Sequence, residues 1–156
     1  MDLGIEGRVA LVAASSRGLG RAVARSLAAA GCRLTLCARD EEPLHQTAEE
    51  LRGEHGAEVE EVVCDLTDEE QALGLVERAT GRFGALDILV ANCGGPPPGT
   101  FLEHDTARWR QAVDLNLMSA VWLCQRAVPH MKKKRWGRIV LMTSISVKQP
   151  IDGLIL

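Results

Sequence analysis

Five strand candidates punctuate the chain, most of them apolar runs, and more polar stretches separate them. The candidates are RVALVA (Arg8 to Ala13), CRLTLCA (Cys32 to Ala38), EVEEVVCD (Glu58 to Asp65), LDILVAN (Leu86 to Asn92) and GRIVLMTS (Gly137 to Ser144). Segments such as ALVA and DILVA lack period-two alternation, as expected of strands covered on both faces. Between the runs, the spacing of apolar positions predicts helices over Gly20 to Ala30, Pro43 to Glu54, Asp68 to Phe83 and Asp105 to about Lys134. This alternation is the pattern of parallel βαβ units. The last helix carries Trp109, Val113, Leu117, Ala120, Val121, Cys124 and Val128 at three- and four-residue steps. Such a stripe is expected to face the core or another subunit.

The 156 residues fit one domain, and 46% hydrophobic with 25% charged residues is ordinary globular usage. A net charge of −3 argues against a dedicated nucleic-acid binder. The one basic run, Lys132 to Arg135, reads as a solvated helix end. No apolar run reaches bilayer length, and MDLGIEGR lacks the basic flank and apolar stretch of a signal peptide, so a cytoplasmic protein with no membrane contact is expected. The cysteines, five in number, show no CxxC spacing and sit mostly in apolar runs, which predicts buried free thiols and no metal site. No repeat is evident, and GGPPPG (Gly94 to Gly99) reads as a stiff loop.

Chemistry concentrates where the first strand meets the first helix, in AASSRGLG (Ala13 to Gly20). Amides at a helix N-terminus lack partners and carry partial positive charge, so a glycine-bearing loop there suits a pyrophosphate. Gly18 and Gly20 permit the approach, Ser15 and Ser16 offer hydroxyls, and Arg17 adds charge. A G-x-G alone is also what any tight strand-to-helix turn uses; its position inside a βαβ unit is what points to a dinucleotide.

From these residues the chain resembles the short-chain dehydrogenases/reductases, and within them the 3-oxoacyl-(acyl-carrier-protein) reductase-like members. That family's TGxxxGxG falls on Ala13 and Ala14, then Ser15, Ser16, Arg17, Gly18, Leu19 and Gly20. Alanines replace the leading Thr and Gly; an alanine serves where the backbone keeps a negative φ but leaves slightly less room near the phosphates, which weakens the motif without abolishing it. CDLTD resembles the family's adenine-binding stretch at Asp65 and Leu66, while Asp68 suits a helix cap. VANCGG is similar to the NNAG stretch, keeping Asn92 and Gly94. DLNL supplies Asn116, similar to the family's catalytic Asn, and LMTSIS supplies Ser144, similar to its catalytic Ser. The resemblance implies an α/β fold of Rossmann type: a doubly wound parallel sheet in three αβα layers, with strand order 3-2-1-4-5.

It also implies hydride transfer between a nicotinamide and a small-molecule carbonyl or alcohol, in a homo-oligomer. The second strand ends CARDE, with Arg39 directly after it and Asp40 next. Arg17 and Arg39 together suit a 2′-phosphate, which favours NADP over NAD. The family's YxxxK has no match, for the chain contains no tyrosine. By family spacing that segment begins just beyond Leu156, so the resemblance covers roughly the first three-fifths of a member. Without the family's later helices and strands, the strand at Gly137 to Ser144 and the terminal GLIL are expected to be exposed and prone to association. A dinucleotide-binding module without turnover, or a remnant that only associates with a partner, are the alternatives.

Overall fold

A computed structural model describes residues 3–156. Five parallel strands, β1 (Val9–Val12), β2 (Arg33–Ala38), β3 (Val59–Val63), β4 (Ile88–Ala91) and β5 (Arg138–Leu141), form one sheet in the order β3-β2-β1-β4-β5. Each strand is shorter than the segment that announces it, because the flanking residues enter the turns. Helices α1 (Gly18–Ala29), α2 (Glu41–His55), α3 (Glu69–Phe83), α4 (Thr106–Val113) and α5 (Ser119–Lys134) complete the chain.

Alternate strand residues point to opposite layers, so the sheet carries two cores. Ala10, Val12, Leu34, Leu36 and Val90 pack with Ala24 and Ala28 of α1 and Leu44, Ala48 and Leu51 of α2. Leu11, Cys37 and Leu89 face the other way, onto Leu75, Val76 and Ala79 of α3 and Leu123, Ala127 and Met131 of α5. That is why β1 and β4 read as unbroken apolar runs: both are buried at every position. This is the three-layer, doubly wound Rossmann-type arrangement.

The long fourth helix departs from expectation. It divides into α4 and α5 at a π-type turn, Asp114–Met118, in which the Ser119 amide reaches back to the Asp114 carbonyl. Ser119 Oγ donates to the Leu115 carbonyl at 2.6 Å. An extra residue in a turn advances the helical phase, so one stripe cannot face the core on both sides of it. The buried side chains are Ala112, Ser119, Trp122, Leu123, Ala127 and Met131. Val113, Leu117 and Val128, expected in an apolar stripe, lie outside at 47%, 57% and 36% exposure. The core role for that part of the stripe is therefore corrected: those residues face outward.

Beneath the sheet, Asp87 is a buried carboxylate just ahead of β4. It accepts the Val9 amide at 3.0 Å and Lys134 Nζ at 2.9 Å, with Arg8 at 3.6 Å. Burial raises its pKa, but the bonds from Lys134 and Val9 and the two nearby cations outweigh burial and leave the carboxyl below its usual value. Lys134, part of the run expected at a solvated helix end, thus fastens α5 to the sheet. β5 forms the sheet's edge with Ile139, Val140 and Leu141 exposed, as are Leu154 and Ile155. Cys32, Cys37 and Cys64 are buried, Cys93 and Cys124 half-buried, and all are free thiols. Among the described residues no helix is long and apolar enough to cross a membrane, and no cluster of three metal-ligating side chains occurs.

Candidate functional site

The strand order reverses beside β1, whose neighbours β2 and β4 leave in opposite directions. In open parallel sheets such a reversal opens a crevice at the strands' carboxyl ends. Here the crevice is a cleft of about 510 Å³. Its floor and one wall come from the loops after β1, β2 and β3, and the opposite wall from the loop after β4 and from α4.

The loop after β1 is held from several sides. Ser15 is fully buried; its amide and hydroxyl both reach the Cys37 carbonyl, at 2.9 and 3.3 Å, and its Oγ accepts the Cys37 amide at 3.1 Å. The Ser15 hydroxyl is thus committed to β2, whereas Ser16 lines the cleft. Buried Thr47 of α2 donates its hydroxyl to the Ser16 carbonyl at 3.1 Å. Asn92 Nδ2 crosses from β4 to donate to the Ala13 and Ala14 carbonyls at 3.3 and 3.2 Å. Gly20 lies underneath: a Cβ there would sit 2.1 Å from the Ala14 oxygen. It packs closely against this loop and does not line the cleft.

One expectation fails at Ala14. Its φ is +48°, in the left-handed region, so the negative φ under which an alanine serves there is not kept. Gly18 is also left-handed, at +57°, where glycine has no such cost. The N-cap of α1 is Arg17, whose side chain makes no capping bond. The first-turn amides of α1 thus have no side-chain acceptor at that position and open beside the cleft through Gly18 and Leu19.

Arg17 and Arg39 both line the cleft, as does Asp40, which follows Arg39 in the chain and pairs with Arg17 at 3.0 Å. Asp65 and Leu66 line the neighbouring wall. Asp65 accepts the Thr67 amide and hydroxyl, each at 2.9 Å, and Asp68 caps α3 by accepting the Gln71 amide at 3.0 Å. That bond holds the Asp68 carboxyl below its usual value. Cys64 lines the cleft as well; a thiol hydrogen bond with Cys37 lowers the pKa of Cys64 and raises that of Cys37. Neither Cys64 nor Arg108, a cation on the α4 wall, was marked by any sequence motif.

Toward the opposite end, Asn92, Cys93 and Gly94 line the wall with Pro96 and Pro97 of the stiff loop. Asn116 is exposed on the π-type turn, where its Oδ1 accepts the Cys93 thiol at 3.4 Å. Burial raises the pKa of Cys93. Ser144 lies past β5, exposed, its Oγ accepting the Ser146 amide at 3.2 Å and hydroxyl at 2.9 Å. Neither Asn116 nor Ser144 lines the cleft itself. The structure therefore gathers Ser16, Arg17, Gly18, Leu19, Arg39, Asp65, Leu66, Asn92 and Gly94 about one space, with Gly20 and Ser15 supporting it from behind.

Comparison with known proteins accords with this geometry. The family model for short chain dehydrogenases matches residues 8–156, and the chain belongs to that family. It is 43% identical over 146 residues, 92% of this chain and 53% of the relative, to a protein of Streptomyces violaceoruber provisionally named granaticin polyketide synthase ketoacyl reductase 1. The 3-oxoacyl-[acyl-carrier-protein] reductase of Aquifex aeolicus is 32% identical, with 93% of this chain and 58% of that protein covered. Among solved structures, L-sorbose reductase from Gluconobacter frateurii, complexed with NADPH and L-sorbose, superposes with a TM-score of 0.93 at 36% identity, over 97% of this chain and 57% of that one. The chain spans about half the length of the curated relatives it matches.

Proposed function

We propose that the chain forms the dinucleotide-binding part of a cytoplasmic NADP(H)-dependent oxidoreductase acting on a carbonyl or alcohol substrate, in the manner of 3-oxoacyl reductases. The observation that carries this reading is the pair of cations, Arg17 and Arg39, at the end of the cleft that follows β1 and β2. Related proteins whose structures hold NADPH support it, L-sorbose reductase and actinorhodin polyketide ketoreductase among them. A 2′-phosphate is a dianion that paired guanidinium groups recognise by charge-assisted hydrogen bonds. The free amides of α1 and the left-handed Gly18 suit the pyrophosphate, and Asp65 with Leu66 suits the adenine.

The nicotinamide, when bound, supplies or accepts the hydride. The chain's own residues then act on position: Asn92 fixes the loop under the phosphates, while Asn116 and Ser144 are proposed to orient the proton path and the substrate oxygen. Steady-state oxidation of NADPH with a panel of 3-oxoacyl and simple carbonyl compounds tests the reaction. Replacing Arg39 by Ala tests the cofactor: NADPH binding should weaken by about ten-fold or more, and NADH binding far less. Equal losses for both would refute the assignment of Arg39.

The altered loop, with a left-handed Ala14 where the family has glycine, favours a second reading, a dinucleotide-binding module without turnover. NADPH binding with no oxidation of any substrate by the protein would select it. We also propose association with a second copy through Val113, Leu117 and Val128, exposed apolar side chains on α4, the π-type turn and α5. Sedimentation as a monomer at micromolar concentration would rule this out.

A further inference from the structure

Asp40 and Asp68 occupy the same place on successive helices. Each is the N-cap residue, of α2 and α3 respectively, with nearly identical backbone: φ −96° and ψ 115° for Asp40, φ −95° and ψ 115° for Asp68. Aspartate is among the favoured residues there because its carboxylate accepts an amide from the first turn. Asp68 does so, taking the amide of Gln71 three residues on. Asp40 makes no capping bond. The residue three after Asp40 is Pro43, which has no amide hydrogen to give. The carboxylate turns instead across the mouth of the cleft, where its Oδ2 accepts Arg17 Nη2 at 3.0 Å.

The consequence falls on the cofactor. Arg17 and Arg39 bring two positive charges to the cleft, and Asp40 returns one negative charge beside Arg17. Arg39 has no ion-pair partner among the described residues. A 2′-phosphate must displace Asp40 from Arg17 and then lie beside its carboxylate. A 2′-hydroxyl needs neither step. We infer that Asp40, released from helix capping by Pro43, is a specificity-determining residue that reduces the site's preference for NADPH over NADH. This rests on the reading that Arg17 and Arg39 face the 2′-phosphate.

The test is titration of the protein with NADPH and with NADH, for wild type, Asp40→Asn, Pro43→Ala, Arg17→Ala and Arg39→Ala. Asparagine keeps the shape and the capping ability of aspartate and removes only its charge. Asp40→Asn should raise the NADPH-to-NADH affinity ratio by about three- to five-fold, the upper part of the range of one exposed ion pair. Pro43→Ala restores the missing amide, gives Asp40 a cap, and should shift the ratio the same way by a smaller factor. Raising the salt from low to physiological concentration should shrink both gains, since the charges are exposed.

If Arg17→Ala weakens NADPH selectively while Asp40→Asn and Pro43→Ala leave the ratio within two-fold or lower it, the role of Asp40 is refuted and the cofactor reading stands. If neither arginine variant changes the ratio, the cofactor reading falls and the role of Asp40 with it.

Discussion

Gly20 and Gly74 both lie in helices, in α1 and α3, yet alanine should have opposite effects at the two. In an unconstrained helix alanine is favoured over glycine by about 0.8–1.0 kcal/mol. At Gly74 the nearest atom to a new Cβ is the end of the Glu77 side chain at 3.9 Å, an ordinary contact, so Gly74→Ala should stabilise by roughly that amount. At Gly20 the Cβ would meet the Ala14 carbonyl oxygen at 2.1 Å, its carbon at 2.9 Å and Asn92 Nδ2 at 2.9 Å. Ordinary contact begins near 3.4 Å, and two of these atoms are backbone, so the loop itself must move. Moving it strains both Asn92 bonds, worth about 1 kcal/mol each, and overpacking adds about 1–3 kcal/mol. Set against the gain in helix propensity, Gly20→Ala should destabilise by about 2–4 kcal/mol, lowering Tm by roughly 5–15 °C for a domain of this size. Urea and thermal melts followed by circular dichroism measure both variants, and NADPH titration reports the loop. A Gly20→Ala protein as stable as wild type, with its nucleotide affinity intact, would show that α1 does not pack on the loop as described.

Two further substitutions address the backbone and the buried charge. Ala14→Gly relieves a left-handed alanine, a cost of about 1–2 kcal/mol, against about 0.4–1 kcal/mol for the greater freedom of glycine when unfolded; stability should rise by about 0.5–1 kcal/mol, and a stability from urea melts lower by that amount would contradict the assigned φ. Asp87→Ala strands the Val9 amide and Lys134 and should cost about 2–4 kcal/mol. Because the folded carboxyl titrates below its unfolded value of about 3.9, this contribution is complete above that pH and disappears as pH falls through the lower folded value. The stability gap between wild type and Asp87→Ala should therefore narrow on acidification from pH 5 to pH 2; a widening gap would reverse the sign of the shift.

How much of the fold and site is legible in the chain depends on whether a feature is local. Strand and helix order, the βαβ alternation and the cap at Asp68 follow from residues near one another in the chain, and all appear. The phase of the fourth helix does not, because the apolar positions from Trp109 to Val128 fit one stripe only if every turn has the same width. The π-type turn at Asp114–Met118 breaks that condition, and its polar residues carry no signature that distinguishes a wide turn from an ordinary one. Asp87 is equally silent: its partners Val9 and Lys134 lie 78 and 47 residues away. Asp40 is visible beside Arg39, but its pairing with Arg17 depends on Pro43 and on β1 lying next to β2.

The missing glycine of the loop shows how such distant contacts alter the meaning of a motif. Taken locally, Ala14 weakens a phosphate-binding turn, since the backbone there is left-handed and alanine resists it. In the folded chain the carbonyls of Ala13 and Ala14 both accept the side-chain amide of Asn92, from the end of β4. Two such bonds contribute about as much as the left-handed residue costs. The turn is therefore maintained by a side chain 78 residues away, which makes Asn92 as much a part of the loop as Gly18. Replacing Asn92 by Ala should consequently harm an Ala14 loop more than an Ala14→Gly loop. A double-variant cycle reads that coupling directly, and strictly additive effects would show that the clamp and the strain are unrelated.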